Sequence, residues 1–183
     1  MSKDIVILHG TKGSPQGNWF PWLKAEMEQR GHTVYVPKLP TPEGQSKEAW
    51  CAALRDQAPM FGDNTILIGH SCGATFILHI LEVVRNPVAQ AILVSPVIAD
   101  ISNTEYDTLN STFTHHPFSW SAIQANAKSI NILHGDNDPY VPFTQAQTVA
   151  DKLDATLTII PQGGHLNAEA GYTKFEKLLE IIQ

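Results

Sequence analysis

Six short runs rich in Ile and Val punctuate the chain, at 5–8, 34–36, 66–68, 91–94, 130–133 and 157–160. They constrain its fold more than any other feature. Each is apolar throughout rather than alternating, and each has turn residues after it. That is the pattern of a parallel strand covered on both faces. Helical periodicity fills the gaps between them. Trp19, Trp22, Leu23 and Met27 share one helical face, with Asn18 as a candidate cap, Pro21 in the first turn and Gly31 past the end. Ser46 is placed to cap a second helix carrying Trp50, Ala53, Leu54 and Gln57 on one side. The stretch 72–85 is apolar on most faces, so it reads as a central buried helix. Helices over 144–153 and through Phe175, Leu178, Leu179 and Ile182 complete the alternation. Strand and helix in repeated succession predict an α/β fold: a six-stranded, mostly parallel sheet with helices on both faces. One stretch breaks the rhythm. About two dozen residues, 95–120, are rich in Asn, Thr, Ser and His. A loop of that length is expected to act as a lid over the active site.

Composition sets the outer bounds. A length of 183 residues predicts one domain, 1–183, burying roughly 70% of its unfolded surface. The chain is 43% apolar and only 16% charged, which excludes disorder as its main description. A net charge of −6 argues against nucleic acid or an anionic membrane as partner. Cys51 and Cys72 make no disulfide framework and no metal-binding spacing, so a reduced, cytoplasmic setting is expected. The apolar run near Met1 is too short for a signal-peptide core, and no run of 18 apolar residues offers a membrane span.

The chemistry concentrates at the ends of three predicted strands. Gly69-His70-Ser71-Cys72-Gly73 is a G-x-S-x-G motif that follows the run at 66–68 and opens the buried helix. A serine on so tight a strand-to-helix turn is strained, and a Cβ two residues to either side would collide with neighbouring backbone. The turn raises the Ser71 hydroxyl above the strand ends, in front of the helix N-terminus. A helix-capping serine in an ordinary turn is the plainer alternative. A serine nucleophile needs a base. Of the eight histidines, only His165 lies in a Gly-rich loop between the last strand and the last helix. The base in turn needs an acid. Asp136 and Asp138 both follow the run at 130–133, and the order Ser, Asp, His along the chain is that of an α/β-hydrolase. Asp138 is favoured, because Asp136 in Gly-Asp-Asn-Asp has a turn-stabilising alternative. The oxyanion hole is assigned to the backbone N–H groups of Cys72 and Thr11.

These residues give the chain its resemblance to a known family. Ile7-Leu8-His9-Gly10, then Asn18-Trp19-Phe20-Pro21-Trp22-Leu23-Lys24, the elbow at 69–73, Asp138-Pro139-Tyr140-Val141-Pro142-Phe143 and Gly163-Gly164-His165 follow in family order. The chain resembles the small serine hydrolases of the YdeN and retinoblastoma-binding-protein-nine type, within the α/β-hydrolase superfamily. The resemblance implies the compact hydrolase sheet with no cap domain, and a catalytic set of Ser71, Asp138 and His165. It also implies carboxylesterase activity on small acyl esters. Cys72 departs from the larger side chain common beside the nucleophile.

The remaining residues of interest have plainer readings. His9 is expected to fix its own loop, and His70 to be a structural part of the elbow. Cys72 is a small buried residue before it is a reactive thiol. His115 and His116 look like a metal pair, but adjacent histidines rarely face one ion, so no metal and no other cofactor is expected. Trp19, Phe113 and Phe118 are the candidates to line an acyl pocket, whereas Trp22 is expected in the core. The expected partner is a small-molecule ester, with the protein a monomer or homodimer. The competing functions are a protein-interaction module on a hydrolase scaffold, and peptidase, amidase or acyl-transfer chemistry on the same residues.

Overall fold

All six apolar runs form strands in the computed structural model, which describes residues 2–182. The strands are β1 (Asp4–Leu8), β2 (Thr33–Tyr35), β3 (Thr65–His70), β4 (Gln90–Val94), β5 (Ile130–Gly135) and β6 (Thr156–Ile160). They join in the order β2-β1-β3-β4-β5-β6, and every pairing is parallel. The expected mostly parallel sheet is thus parallel throughout.

The apolar runs serve two cores at once. In β1, Ile5 and Ile7 point to one face of the sheet, while Val6 and Leu8 point to the other. Helices α1 (Phe20–Gln29) and α7 (Glu176–Ile181) cover the first face with Phe20, Leu23, Met27 and Leu178. Helices α2 (Lys47–Gln57), α3 (Cys72–Val83) and α6 (Phe143–Leu153) cover the second. Ten consecutive residues of α3, from Cys72 to Leu81, are buried. This accounts for a helix that is apolar nearly all round. The chain runs from β1 outward to β2, then crosses back over β1 to β3, so the direction of winding reverses beside β1. The crevice beyond their carboxyl ends is where a sheet of this kind places its site.

Local chemistry sets several of the helix ends. Ser46 caps α2 by accepting from the Ala49 N–H at 3.1 Å. Pro21 sits in the first turn of α1, and Gly31 follows it at φ +85°. Asn18 does not cap α1: Trp19 occupies the cap position with no side-chain bond. The Asn18 Oδ1 instead accepts from the Ala168 N–H at 3.0 Å, tying the start of α1 to the segment after β6.

The segment 95–120 is not one long lid loop. It contains α4 (Thr104–Thr114), followed by α5 (Trp120–Ala125). Its sequence has no apolar stripe, so periodicity could not reveal α4. Capping holds it instead. The Asn103 side chain accepts from the Tyr106 N–H, and the Asp107 carboxylate accepts from the N–H groups of Ile101 and Asn103. Among the described residues, no helix is long and apolar enough to cross a membrane.

Candidate active site

The elbow at Ser71 is built by close backbone packing. Ser71 has φ +57° and ψ −125°, a region that side chains other than glycine rarely adopt. The glycines of the motif make that turn possible. A Cβ on Gly69 would lie 2.5 Å from the Gly73 carbonyl oxygen. A Cβ on Gly73 would lie 2.3 Å from the Leu8 oxygen and 2.6 Å from that of His9. The first turn of α3 therefore rests directly on the end of β1.

That contact brings Gly10 beside the first N–H of α3: a Cβ on Gly10 would lie 3.3 Å from the Cys72 nitrogen. Neither the Thr11 N–H nor the Cys72 N–H donates to any acceptor among the described residues. The loop carrying Thr11 is pinned through side chains. Leu39 N–H donates to His9 Nε2 at 3.0 Å, so the ring proton sits on Nδ1 and donates to the Gly10 oxygen at 2.9 Å. Thr11 Oγ1 donates to Asn110 Oδ1 at 2.5 Å, and Gln45 Nε2 reaches both of those oxygens. Burial pushes the Cys72 thiol up to about 12, with the Thr11 side chain beside it opposing the shift. Cys72 therefore stays a thiol at neutral pH and offers its backbone alone.

His165 and Asp138 meet across the loops after β6 and β5. His165 Nδ1 lies 2.7 Å from Asp138 Oδ2, which places a ring proton on Nδ1, so that in the neutral ring Nε2 carries the lone pair. Burial pushes the Asp138 carboxyl up. Its bond to His165, the nearby imidazole charge and the N–H groups of Val141 and Tyr140 outweigh that, holding it below the usual carboxylate range. Asp136 does not reach His165; its Oδ1 accepts from the Gln162 N–H at 2.7 Å.

His70 supports His165 from behind. Its Nε2–H donates to the His165 carbonyl at 2.8 Å, and the two rings lie 4.7 Å apart. Burial first, and then the neighbouring His165, pushes the His70 pKa down to about 3. A neutral His70 adds no positive charge beside the His165 ring.

Ser71, His70 and His165 open onto one cleft of about 240 Å³. Its other walls mix polar residues with the aliphatic side chains of Val97, Ile101 and Val141. Tyr106 and Asn110 come from α4, and Tyr140, Asn167 and Glu169 from the loops after β5 and β6. Tyr140 Oη donates to Glu169 Oε2 at 2.5 Å, and its ring stands edge-on to His165 at 5.3 Å. The sequence reading missed all five of these residues. For Tyr106 and Asn110 the missed signal was Asn103 as a helix cap.

The expected aromatic pocket is not there. Trp19 is fully buried beside Phe20, and its Nε1–H donates to the Leu166 oxygen. Phe113 is fully buried against Trp50 and Phe76, because α4 turns it inward. Phe118 stacks on His79 and Trp120. None of the three lines the cleft.

Comparison with known proteins agrees with this fold. The serine hydrolase family model matches residues 5–183. YdeN of Bacillus subtilis is 28% identical over 184 residues, covering 100% of this chain and 95% of its own length. The serine hydrolase RBBP9 of Rattus norvegicus is 28% identical over 181 residues, covering 97% and 92%. The crystal structure of YdeN superimposes with a TM-score of 0.89 at 27% identity, covering 98% of this chain and 96% of that one. MGS-MChE2, an α/β hydrolase enzyme from a lagoon-sediment metagenome, shares the fold with a TM-score of 0.71 at 20% identity, covering 98% and 90%.

Proposed function

The chain belongs to the serine hydrolase family, and we propose that within it the protein is a carboxylesterase acting on small acyl esters. The observation that carries this reading is the 2.7 Å bond between His165 Nδ1 and Asp138, made on the wall of the same cleft as the strained Ser71. With its proton held on Nδ1, His165 presents Nε2 as the base. Ser71 Oγ attacks the ester carbonyl while Nε2 takes its proton. The N–H groups of Cys72 and Thr11 receive the oxyanion. His165 then protonates the departing alcohol, and water releases the acyl group by the same route in reverse. Every proton in these steps moves between Ser71, His165, substrate and water. Asp138 orients His165 and stabilises its charged form.

A small substrate fits a cleft of about 240 Å³. At that volume the cleft suits a compact ester better than a long alkyl chain. We also take residues 1–183 to act as one domain in the cytoplasm. The test is labelling of the folded protein with a fluorophosphonate probe, with Ser71→Ala as control. Labelling that depends on Ser71 is expected. Wild-type protein that stays unlabelled would remove the enzyme reading and leave the interaction module on a hydrolase scaffold. p-Nitrophenyl esters of increasing chain length should then lose turnover as the acyl group outgrows the cleft.

A further inference from the structure

A second cluster lies along α3, away from Ser71. His79 stands eight residues after Ser71, roughly 12 Å further along the helix axis at 1.5 Å per residue. Glu82 follows it one turn later, and His116 comes from the turn after α4. One ligand atom from each of the three lies within 4.8 Å of the others.

The hydrogen bonds at His79 bring its second ring nitrogen face to face with a carboxylate oxygen. His79 Nε2 lies 2.8 Å from the Phe113 carbonyl oxygen, which can only accept, so the ring proton sits on Nε2. The lone pair of Nδ1 then points at Glu82 Oε2, 3.0 Å away. Two acceptors at that distance repel unless an electron-poor centre joins them. A second ring proton could join this pair, but it could not also join a third ligand atom beside them, as one cation can. His116 Nε2 lies 3.8 Å from the same Glu82 oxygen. The other Glu82 oxygen accepts from the Ser119 N–H at 2.7 Å, which fixes the carboxylate plane. An imidazole N–H donated to a carbonyl and a carboxylate held by a backbone donor are the outer supports of metal ligands.

We propose that His79 Nδ1, Glu82 Oε2 and His116 Nε2 form a site for a divalent transition-metal ion of the Zn2+ type. Two imidazoles and one carboxylate suit Zn2+, with water as a fourth ligand, and disfavour Mg2+ and Ca2+. The ion would clamp α3 to the turn between α4 and α5. It would thereby fix α4, which carries Tyr106 and Asn110 into the cleft. This role is structural and does not depend on the hydrolytic reading.

The test is calorimetric titration of the chelator-treated full chain with Zn2+, and with Co2+ read by its visible absorption. One ion per chain is expected, with tetrahedral Co2+ bands and no response to Mg2+. Glu82→Gln and His116→Ala should each weaken binding by at least about tenfold. Zn2+ should raise the thermal midpoint of the wild type but not of His116→Ala. The His116 side chain is 45% exposed, so its removal leaves the fold intact, unlike His79→Ala. Absence of wild-type binding overturns the proposal. So does binding undiminished in both variants, which would place the ion elsewhere.

Discussion

Acid should destabilise this protein by an amount that His70 makes calculable. The ring is buried beside His165, and its pKa is pushed down to about 3 from an ordinary 6.5. Once the chain unfolds, His70 regains its ordinary value. Below about pH 6.5 the unfolded chain therefore binds a proton that the folded protein refuses. Stability then falls as pH falls, by about 1.4 kcal/mol per pH unit for this one group. At about pH 7.5 the effect is almost nil. At about pH 5 it reaches roughly 2 kcal/mol, a sizeable share of a typical 5–15 kcal/mol. Burial lowers His9, His79 and His134 as well, so they act in the same direction. Asp138, held below the usual carboxylate range, adds a further loss at lower pH, as the solution passes through its folded value. The variant that isolates His70 is His70→Gln, whose amide can still donate to the His165 carbonyl but does not titrate. Urea denaturation at about pH 7.5 and 5 is the assay. With a slope of about 2 kcal/mol per molar urea, the wild-type midpoint should drop by about 1 M more than that of the variant. Equal drops in the two proteins would refute the reasoning. The ring can also be followed directly by NMR in the wild type, and a His70 titration near 6.5 would refute it independently of how the variant folds.

Two further outcomes follow from the loops. Asp138→Asn should lower kcat on p-nitrophenyl acetate by about ten-thousand-fold, because the amide holds His165 in the wrong tautomer; Asp136→Asn should cost less than about tenfold, since its remaining oxygen can still accept from Gln162, and the reverse ranking would exchange the two roles. Gly73→Ala should destabilise by about 3 kcal/mol or more in chemical denaturation, because its Cβ would meet the Leu8 oxygen at 2.3 Å; Gly62→Ala, with nothing within 4 Å of the added carbon, is the control and should stay within about 1 kcal/mol of wild type.

What the sequence made legible divides by physical cause. Strands covered on both faces must be apolar throughout, so all six runs could be read directly, as could α3. Ser71 announced itself because its turn tolerates few residues at positions 69 and 73. Helix α4 was illegible for the opposite reason. Only Asn110, Phe113 and Thr114 of its eleven residues are buried, so it carries no stripe. Missing that helix also misplaced the pocket. Phe113 reads as a pocket residue in a loop, but as a core residue once it lies on a helix facing Trp50 and Phe76. Likewise His116 looked paired with His115. Tertiary contacts separate them, giving His115 to Asp100 and His116 to Glu82 and His79.

The triplet Asp136-Asn137-Asp138 explains why two acids stand so close in sequence without competing in space. Each of the three side chains grips a different point of the histidine loop. Asp136 takes the Gln162 N–H, Asn137 takes the Gly164 N–H at 2.8 Å, and Asp138 takes the His165 ring. Gln162 and Gly164 both have positive φ, so the loop is held in a conformation that an unrestrained chain would seldom adopt. Two of the three bonds therefore set the backbone that aims His165, and the third meets the imidazole it delivers. His70 closes the arrangement from β3 by donating to the His165 carbonyl. The ring is thus fixed by β3, β5 and β6 together. The orientation of the His165 ring comes from the ends of three strands rather than from one loop alone.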